Sequence, residues 1–473
     1  MTKELRIEKI AEIVKGEPFA KMEIPWQDQL QVMNVYKIPL NLLVYNKYNG
    51  RILSRTKSLE RQNMVLNPET EDGKKKIEDL LWESNVDRNR RTMSNIDAFG
   101  QQKIGIITKD GIIIDGNRRA MLLNKIQKYD YFKAVVLPVS SDESVLEIEK
   151  LETSFQMGED EKLSYNATEK YIKAKEIYLK LTGKDALPAL DEDFDNSAVT
   201  KISDWMGEKP GEIKKYLATI KVMDEYLSFY EYDGIYTQLD NREDQFLSLQ
   251  KWLNTYYSEN SLKAFDGYTK SDVDDLKVIA FDYIRIRNQY DGKLFRLIAD
   301  GFRDKHFFGN KNIWEDFRNY HFQTTRSIKE GPIDYDSPNI KASLDSRDKD
   351  FFDQAYEDGD NRFLSNLSEH GERLKYLEAA NAPEKLIKKA KASFESINTG
   401  HSSFSTSEVQ KEVAELGDVV FGAMLNKSPI NVLKHIVSLL SKINSSSISS
   451  EKDDVKKLLK EISSKAYNIN REL

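Results

Sequence analysis

The chain has 473 residues, 39% hydrophobic and 32% charged, and its 71 Lys+Arg against 78 Asp+Glu leave a net charge of −7. That length exceeds one ordinary core and predicts two to four domains, while the acidic balance argues against a general nucleic-acid coat and leaves room only for a local basic face. The absence of cysteine excludes disulfides, thiolate metal sites and a thiol nucleophile.

Met1 to Arg6 does not read as a signal peptide, and no apolar run approaches the roughly 18 residues of a membrane span, so a cytoplasmic protein without a membrane partner is expected. Residues 1–30 read as a short amphipathic helix and an extended arm through Pro25 and Trp26. Val35 to Leu40 alternates like a strand, and Leu42 to Arg51 runs into a polar turn. Residues 53–75 are polar and charged and read as a loop or insertion. Lys76 to Trp82 and Ser94 to Phe99 are helical, the second stopped by Gly100. Ile104 to Thr108 is a β-branched run, Asp110-Gly111 a hairpin turn, and Ile112 to Ile114 the returning strand. Asp115-Gly116-Asn117 ends that strand, Ala120 to Leu123 opens a helix, and Phe132 to Leu137 is a further strand.

Arg118 and Arg119 therefore stand in the first turn of a helix that leaves a glycine turn. Free backbone N–H groups, the positive end of the helix dipole and two guanidinium groups converge there, and phosphate is the natural guest. On these residues alone a second reading stays open, in which Gly116 only makes the turn and the arginines pair with surface carboxylates.

Beyond Ser144 strand signals nearly vanish. Thr168 to Leu181 is a helix with Tyr171, Ala174, Ile177 and Tyr178 on one face. Ala198 to Leu227 holds a helix pair in which Ser203, Gly207 and Ile213 stand at the spacings a tight crossing needs. Lys209, Lys214 and Lys215 suit phosphate contacts, and Glu212 or Thr219 suit base contacts, unless the pair merely packs. Residues 228–325 are aromatic-rich helices, and 326–362 read as an acidic linker or mobile loop. Residues 363–473 are helical, and Val455, Leu458, Leu459 and Ile462 mark a packed or dimerising helix. The five histidines show no metal spacing, and no repeat is visible. The expected division is an arm at 1–30, an α/β domain at 31–142, a helix-turn-helix domain at 143–230, a helical domain at 231–330, a linker at 331–362 and a helical domain at 363–473.

Across residues 34–180 this order of elements resembles the amino-terminal domain of the ParB family of partition proteins, which is also similar to sulfiredoxin. Gly116-Asn117-Arg118-Arg119 resembles the family's Gly-Glu-Arg-Arg box. Thr153-Ser154-Phe155-Gln156-Met157 occupies the place of its Glu-Asn-x-Gln-Arg segment, and Ser203 to Tyr216 resembles its DNA-binding helix pair. The resemblance implies an α+β ParB/sulfiredoxin-like domain followed by a mainly α-helical remainder that includes a helix-turn-helix. It further implies a homodimer that binds DNA and a nucleotide, CTP or ATP, through Arg51, Gly100, Asp115, Gly116, Asn117, Arg118, Arg119, Thr153, Ser154 and Gln156. Mg²⁺ would be held by the later segment. Here Thr153 and Ser154 replace the Glu and Asn, so metal affinity should fall, unless Glu152 substitutes by a register shift. Asn117 replaces the box glutamate, and the missing cysteine excludes sulfiredoxin chemistry. The alternatives are a nuclease or phosphotransferase on the same fold, for which Asp110 and Asp115 are the available carboxylates, and a structural adaptor.

Overall fold

In chain order, helix α1 (Lys3–Val14) leads into strands β1 (Ala20–Trp26) and β2 (Gln29–Pro39). Three helices follow, α2 (Leu53–Arg61), α3 (Glu71–Glu83) and α4 (Val86–Phe99). The hairpin of β3 (Gly105–Ile107) and β4 (Ile113–Asp115), helix α5 (Asn117–Ile126) and β5 (Tyr131–Val136) complete a five-stranded mixed sheet of order β1-β2-β5-β3-β4. Only the β3–β5 pair is parallel. The computed structural model describes every residue except 63, 158–165, 191, 259–260, 336–338, 381–382, 426–428 and 444–451.

Both faces of the sheet are covered, as the two-residue period of a strand dictates. Ile38, Ile107, Ile113, Phe132 and Ala134 pack with Ile10 of α1, Ile77 and Leu81 of α3 and Met121 and Leu122 of α5. Their neighbours Val35, Ile106, Ile114 and Val135 pack on the other face with Ile148 and Leu151 of α6 (Val145–Met157).

The sheet is larger than the sequence indicates. Residues 20–30, expected as an extended arm, form a hairpin whose turn residues Gln27 and Asp28 both have positive φ, the geometry of a tight two-residue turn. Pro25 is accommodated because β1 is an edge strand. Residues 53–61, expected as loop, are α2, which buries Leu53, Ser54, Thr56 and Ser58. The Ser54 and Ser58 hydroxyls donate to Glu169 and to the Ser54 carbonyl, and such small polar side chains leave no hydrophobic period to read.

The rest of the first unit, Met1–Asn381, is helical. After α6 come α7 (Ala167–Thr182), α8 (Asn196–Met206), α9 (Pro210–Phe229), α10 (Glu243–Tyr256), α11 (Lys270–Arg285), α12 (Gly292–Ile298), α13 (Lys311–Ser327) and α14 (Ile340–Asp353). A two-residue-strand hairpin, β6 (Tyr356–Glu357) with β7 (Asp360–Asn361), and α15 (Arg362–Ala380) close it. Their shared core is aromatic, with Tyr226, Phe246, Phe281, Tyr283 and Trp314 all fully buried. Residues 331–362, expected as a linker, contain α14, whose Ile340, Leu344, Phe351 and Phe352 are buried. The acidity that suggested a linker is partly an internal partner, because Asp348 pairs with Arg285 at 2.6 Å.

The second unit, Ala382–Leu473, comprises α16 (Pro383–Glu395), α17 (Ser407–Leu425), α18 (Pro429–Lys442) and α19 (Lys452–Glu472). Its apolar side chains stand open, among them Ile387, Val419, Val437, Leu459, Ile462 and Ile469. Along α19, Val455, Leu459, Ile462, Ala466 and Ile469 recur at alternating spacings of four and three.

Candidate anion-binding site

The site is built where β4 hands over to α5. Gly116 has φ +110°, and a Cβ there would lie 2.6 Å from Cζ of Phe132, so both backbone conformation and space require glycine. Asn117 follows, 2% exposed. Its Oδ1 accepts from the Asn46 backbone N–H at 2.9 Å and its Nδ2 donates to the Ile113 carbonyl at 3.0 Å. Both ends of the amide are thus committed to holding the turn, and Asn117 serves the site by aiming the helix N-terminus.

Arg118 Nη2 donates to Thr92 Oγ1 at 2.8 Å, while Arg119 pairs with Asp115 at 2.5 Å and donates to the Ile104 carbonyl at 3.2 Å. These side chains open onto a cavity of about 270 Å³ whose walls also carry Arg51, Arg88, Thr92, Asn95 and Lys103. Five cationic side chains and one carboxylate, Asp115, therefore line it. Burial, and then repulsion from Arg51, Arg88 and Arg119, push the Arg118 guanidinium down to about 10. Burial is the larger cause, and the repulsion from three neighbouring guanidiniums marks a positive potential that favours an anionic guest.

Of the residues expected at a nucleotide site, Arg51, Asp115, Gly116, Asn117, Arg118 and Arg119 come together around this cavity. Gly100, with φ +68°, terminates α4 beside it, and the following Gln101 and Gln102 line the wall. Thr153 and Ser154 lie on α6 and are not among the lining residues; Thr153 is fully buried. The side chain of Gln156 lies outside the described residues. Glu152, expected as a metal ligand, is buried and engaged: its Oε1 accepts from Asn46 Nδ2 at 3.0 Å, and its Oε2 stands 3.5 Å from Lys173 Nζ. Lys173 also pairs with Glu149 at 2.5 Å. Despite burial, which pushes a carboxyl up, Lys173 and Lys180 hold Glu149 down at about 2. This is a paired structural cluster, and among the described residues no group of three or more His, Asp or Glu is arranged to hold a metal. Asp110 is similarly committed, accepting from the backbone and hydroxyl of Ser141.

Sequence reasoning missed Arg88, Thr92 and Asn95. They stand at spacings of four and three on α4, the signal of a common helix face, but α4 was read as helical only from Ser94.

The helix pair is present as α8 and α9 around Gly207, whose φ is +66°. Ile213 is fully buried, and the Ser203 hydroxyl donates to the Glu208 carbonyl at 2.6 Å. Lys209, Lys214 and Lys215 stand at the start of α9, where Lys214 and Lys215 line a larger groove of about 1090 Å³ shared with α10. Asp244 and Asp300 line it as well. Thr219, expected to face bases, has no exposed surface, and its hydroxyl donates to the Lys215 carbonyl. Gly211 and Lys215 are exposed near the start of α9, while Tyr216 to Ile220 are buried where α7, α8 and α10 pack against the helix. No helix of the described residues is long and apolar enough to cross a membrane.

Compared with known proteins, the chain matches no family model, no curated protein and no solved structure.

Proposed function

We propose that this chain is a ParB-like nucleotide-binding protein that takes a nucleoside triphosphate, CTP or ATP, at Gly116 to Arg119 and couples its occupancy to self-association or DNA binding. The observation that carries the reading is the crowding of Arg118 by Arg51, Arg88 and Arg119 around a cavity at a helix N-terminus. A triphosphate spreads several negative charges over a short chain and matches that arrangement. Coupling has a physical route. Asn117 bonds Asn46, Asn46 bonds Glu152, and Glu152 meets Lys173 of α7. The same helix holds the turn of the α8–α9 pair through Lys170 and Glu208 at 2.8 Å.

That route serves the DNA output; self-association has separate support, in the second unit. The apolar face of α19 has the four-three spacing of a helix that packs against another helix, and a second copy of this chain is the partner taken here. DNA contact is limited to the lysines at the start of α9 beside acidic neighbours, so it should be local and salt-sensitive. Binding should depend weakly on Mg²⁺, and turnover should be slow or absent, because Glu152 is already paired and Thr153 and Ser154 carry no charge.

The test is titration of the full chain with labelled CTP, ATP and GTP, with and without Mg²⁺ and duplex DNA, read alongside its oligomeric state. Nucleotide binding that alters the oligomer or the DNA affinity is the expected result; no binding of any nucleotide rejects the reading. If DNA binds, neutralising Lys214 and Lys215 together should lower the slope of log affinity against log salt by up to about two units.

A further inference from the structure

Phe99 is the last residue of α4, and its side chain is 71% exposed. A single exposed aromatic needs no explanation by itself, but the position of this one is informative. Arg88, Thr92, Asn95 and Phe99 recur at spacings of four, three and four, which puts them on one stripe about 60° wide. The first three line the arginine cavity. Helical side chains lean toward the helix N-terminus, so Phe99 leans back along the stripe toward Asn95. After it the chain turns at Gly100 and returns Gln101, Gln102 and Lys103 to the cavity wall. Gln102 Nε2 donates to the Phe99 carbonyl at 2.6 Å. Phe99 is therefore flanked on both sides in the chain by residues of the wall.

The stripe runs roughly 16 Å from Arg88 to Phe99, cationic at one end and aromatic at the other. Ile96 is the one apolar side chain in the wall, and no ring is present there. The wall offers cations and amides to phosphates but no ring to a base, and Phe99 is an exposed ring between Ile96 and Gln101 of that wall in the chain.

We infer that Phe99 is the base platform of this site, stacking the nucleobase at the rim while the phosphates reach Arg118 and Arg88. The inference rests on the nucleotide reading above. It narrows the ligand class to nucleoside polyphosphates and makes base identity a weak determinant, because stacking accepts any aromatic face.

The experiment compares inorganic tripolyphosphate with CTP and ATP on the full chain, for wild type, Phe99→Ala, Phe99→Trp and Arg118→Ala. Phe99→Ala should weaken both nucleotides about tenfold, the order of one lost stacking contact, and leave tripolyphosphate affinity unchanged. Phe99→Trp should restore nucleotide affinity. Arg118→Ala should weaken all three ligands. A Phe99→Ala variant that binds nucleotides as wild type does, or that loses tripolyphosphate equally, overturns the inference and leaves the phosphate pocket standing. A wild-type chain that binds none of the three ligands overturns the proposed function as well.

Discussion

Arg118 and Arg285 are both drawn out of water, and they respond in opposite directions. Burial lowers the proton affinity of each. Around Arg285 the carboxylates win: Glu330 accepts two hydrogen bonds at 2.9 and 2.8 Å, Asp348 accepts one at 2.6 Å, and the guanidinium is raised above its ordinary value. Around Arg118, Arg51, Arg88 and Arg119 add repulsion to burial, and the group is lowered to about 10. The first cluster contains its own anions and is finished structure. The second concentrates positive charge along a cavity wall, which is the ground on which an anion from outside is proposed there. Counting arginines does not separate the two; counting the carboxylates beside them does.

The largest effect should come from breaking the finished cluster. Arg285→Ala leaves Asp348 and Glu330 without their main cation and should destabilise the first unit by about 3–5 kcal/mol, the range for breaking a buried pair from one side. Denaturant unfolding measures it, and a variant as stable as wild type would show that Arg242, 3.4 Å from Asp348, and Arg347, 3.0 Å from Glu330, suffice.

Arg118→Ala should do the reverse, weakening nucleotide binding by about 1.5–3 kcal/mol, the range for a charge-assisted hydrogen bond, with no loss of folding stability. Arg119→Ala should weaken binding similarly but also destabilise, because Asp115 loses its partner. Unchanged affinity in both variants would remove the site.

A third effect tests burial of one charge whose neighbouring cation, Arg55, is already paired with Asp240. Burial pushes the Glu169 carboxyl from 4.5 up to about 7, against hydrogen bonds from the backbone and hydroxyl of Ser54. A raised carboxyl favours the folded state while protonated, so this contribution is complete below about pH 4.5 and is lost as pH rises through about 7. Glu169→Gln should flatten stability across that window and be relatively more stable at pH 8, as unfolding midpoints against pH would record. An unaltered pH profile would mean that Ser54 fully compensates the charge.

Several parts of this molecule were legible in the sequence for identifiable reasons. The hairpin from Ile104 to Ile114 announced itself by β-branched residues on either side of Asp110-Gly111, and Gly116 marked a turn whose φ and crowding demand it. β1 carries the two-residue period in Ala20, Met22, Ile24 and Trp26, but Pro25 within the run reads against a strand unless the strand is known to lie at an edge. α2 and α14 were hidden by polarity, their buried positions including Ser54, Ser58 and Asp348, whose burial depends on partners far away in the chain. Half of the candidate site was visible as the Gly116–Arg119 turn. The other half, on α4, required knowing that Arg88 and Arg118 share a cavity, and no local pattern encodes that.

Helix α2 has a consequence for how such a chain can be inherited. Leu53 is counted in the interior of the helical region, and Arg55, Lys57 and Arg61 reach Asp240, Glu176 and the Asp233 carbonyl. The sheet and the helices after it are therefore not interchangeable cassettes. A recombination joint near residue 143 would carry α2 away with the sheet and leave an opening around Leu53 in the aromatic core of the new partner. Only exchanges that move the sheet together with its helical socket should yield viable hybrids, so these parts must diverge as one hereditary block.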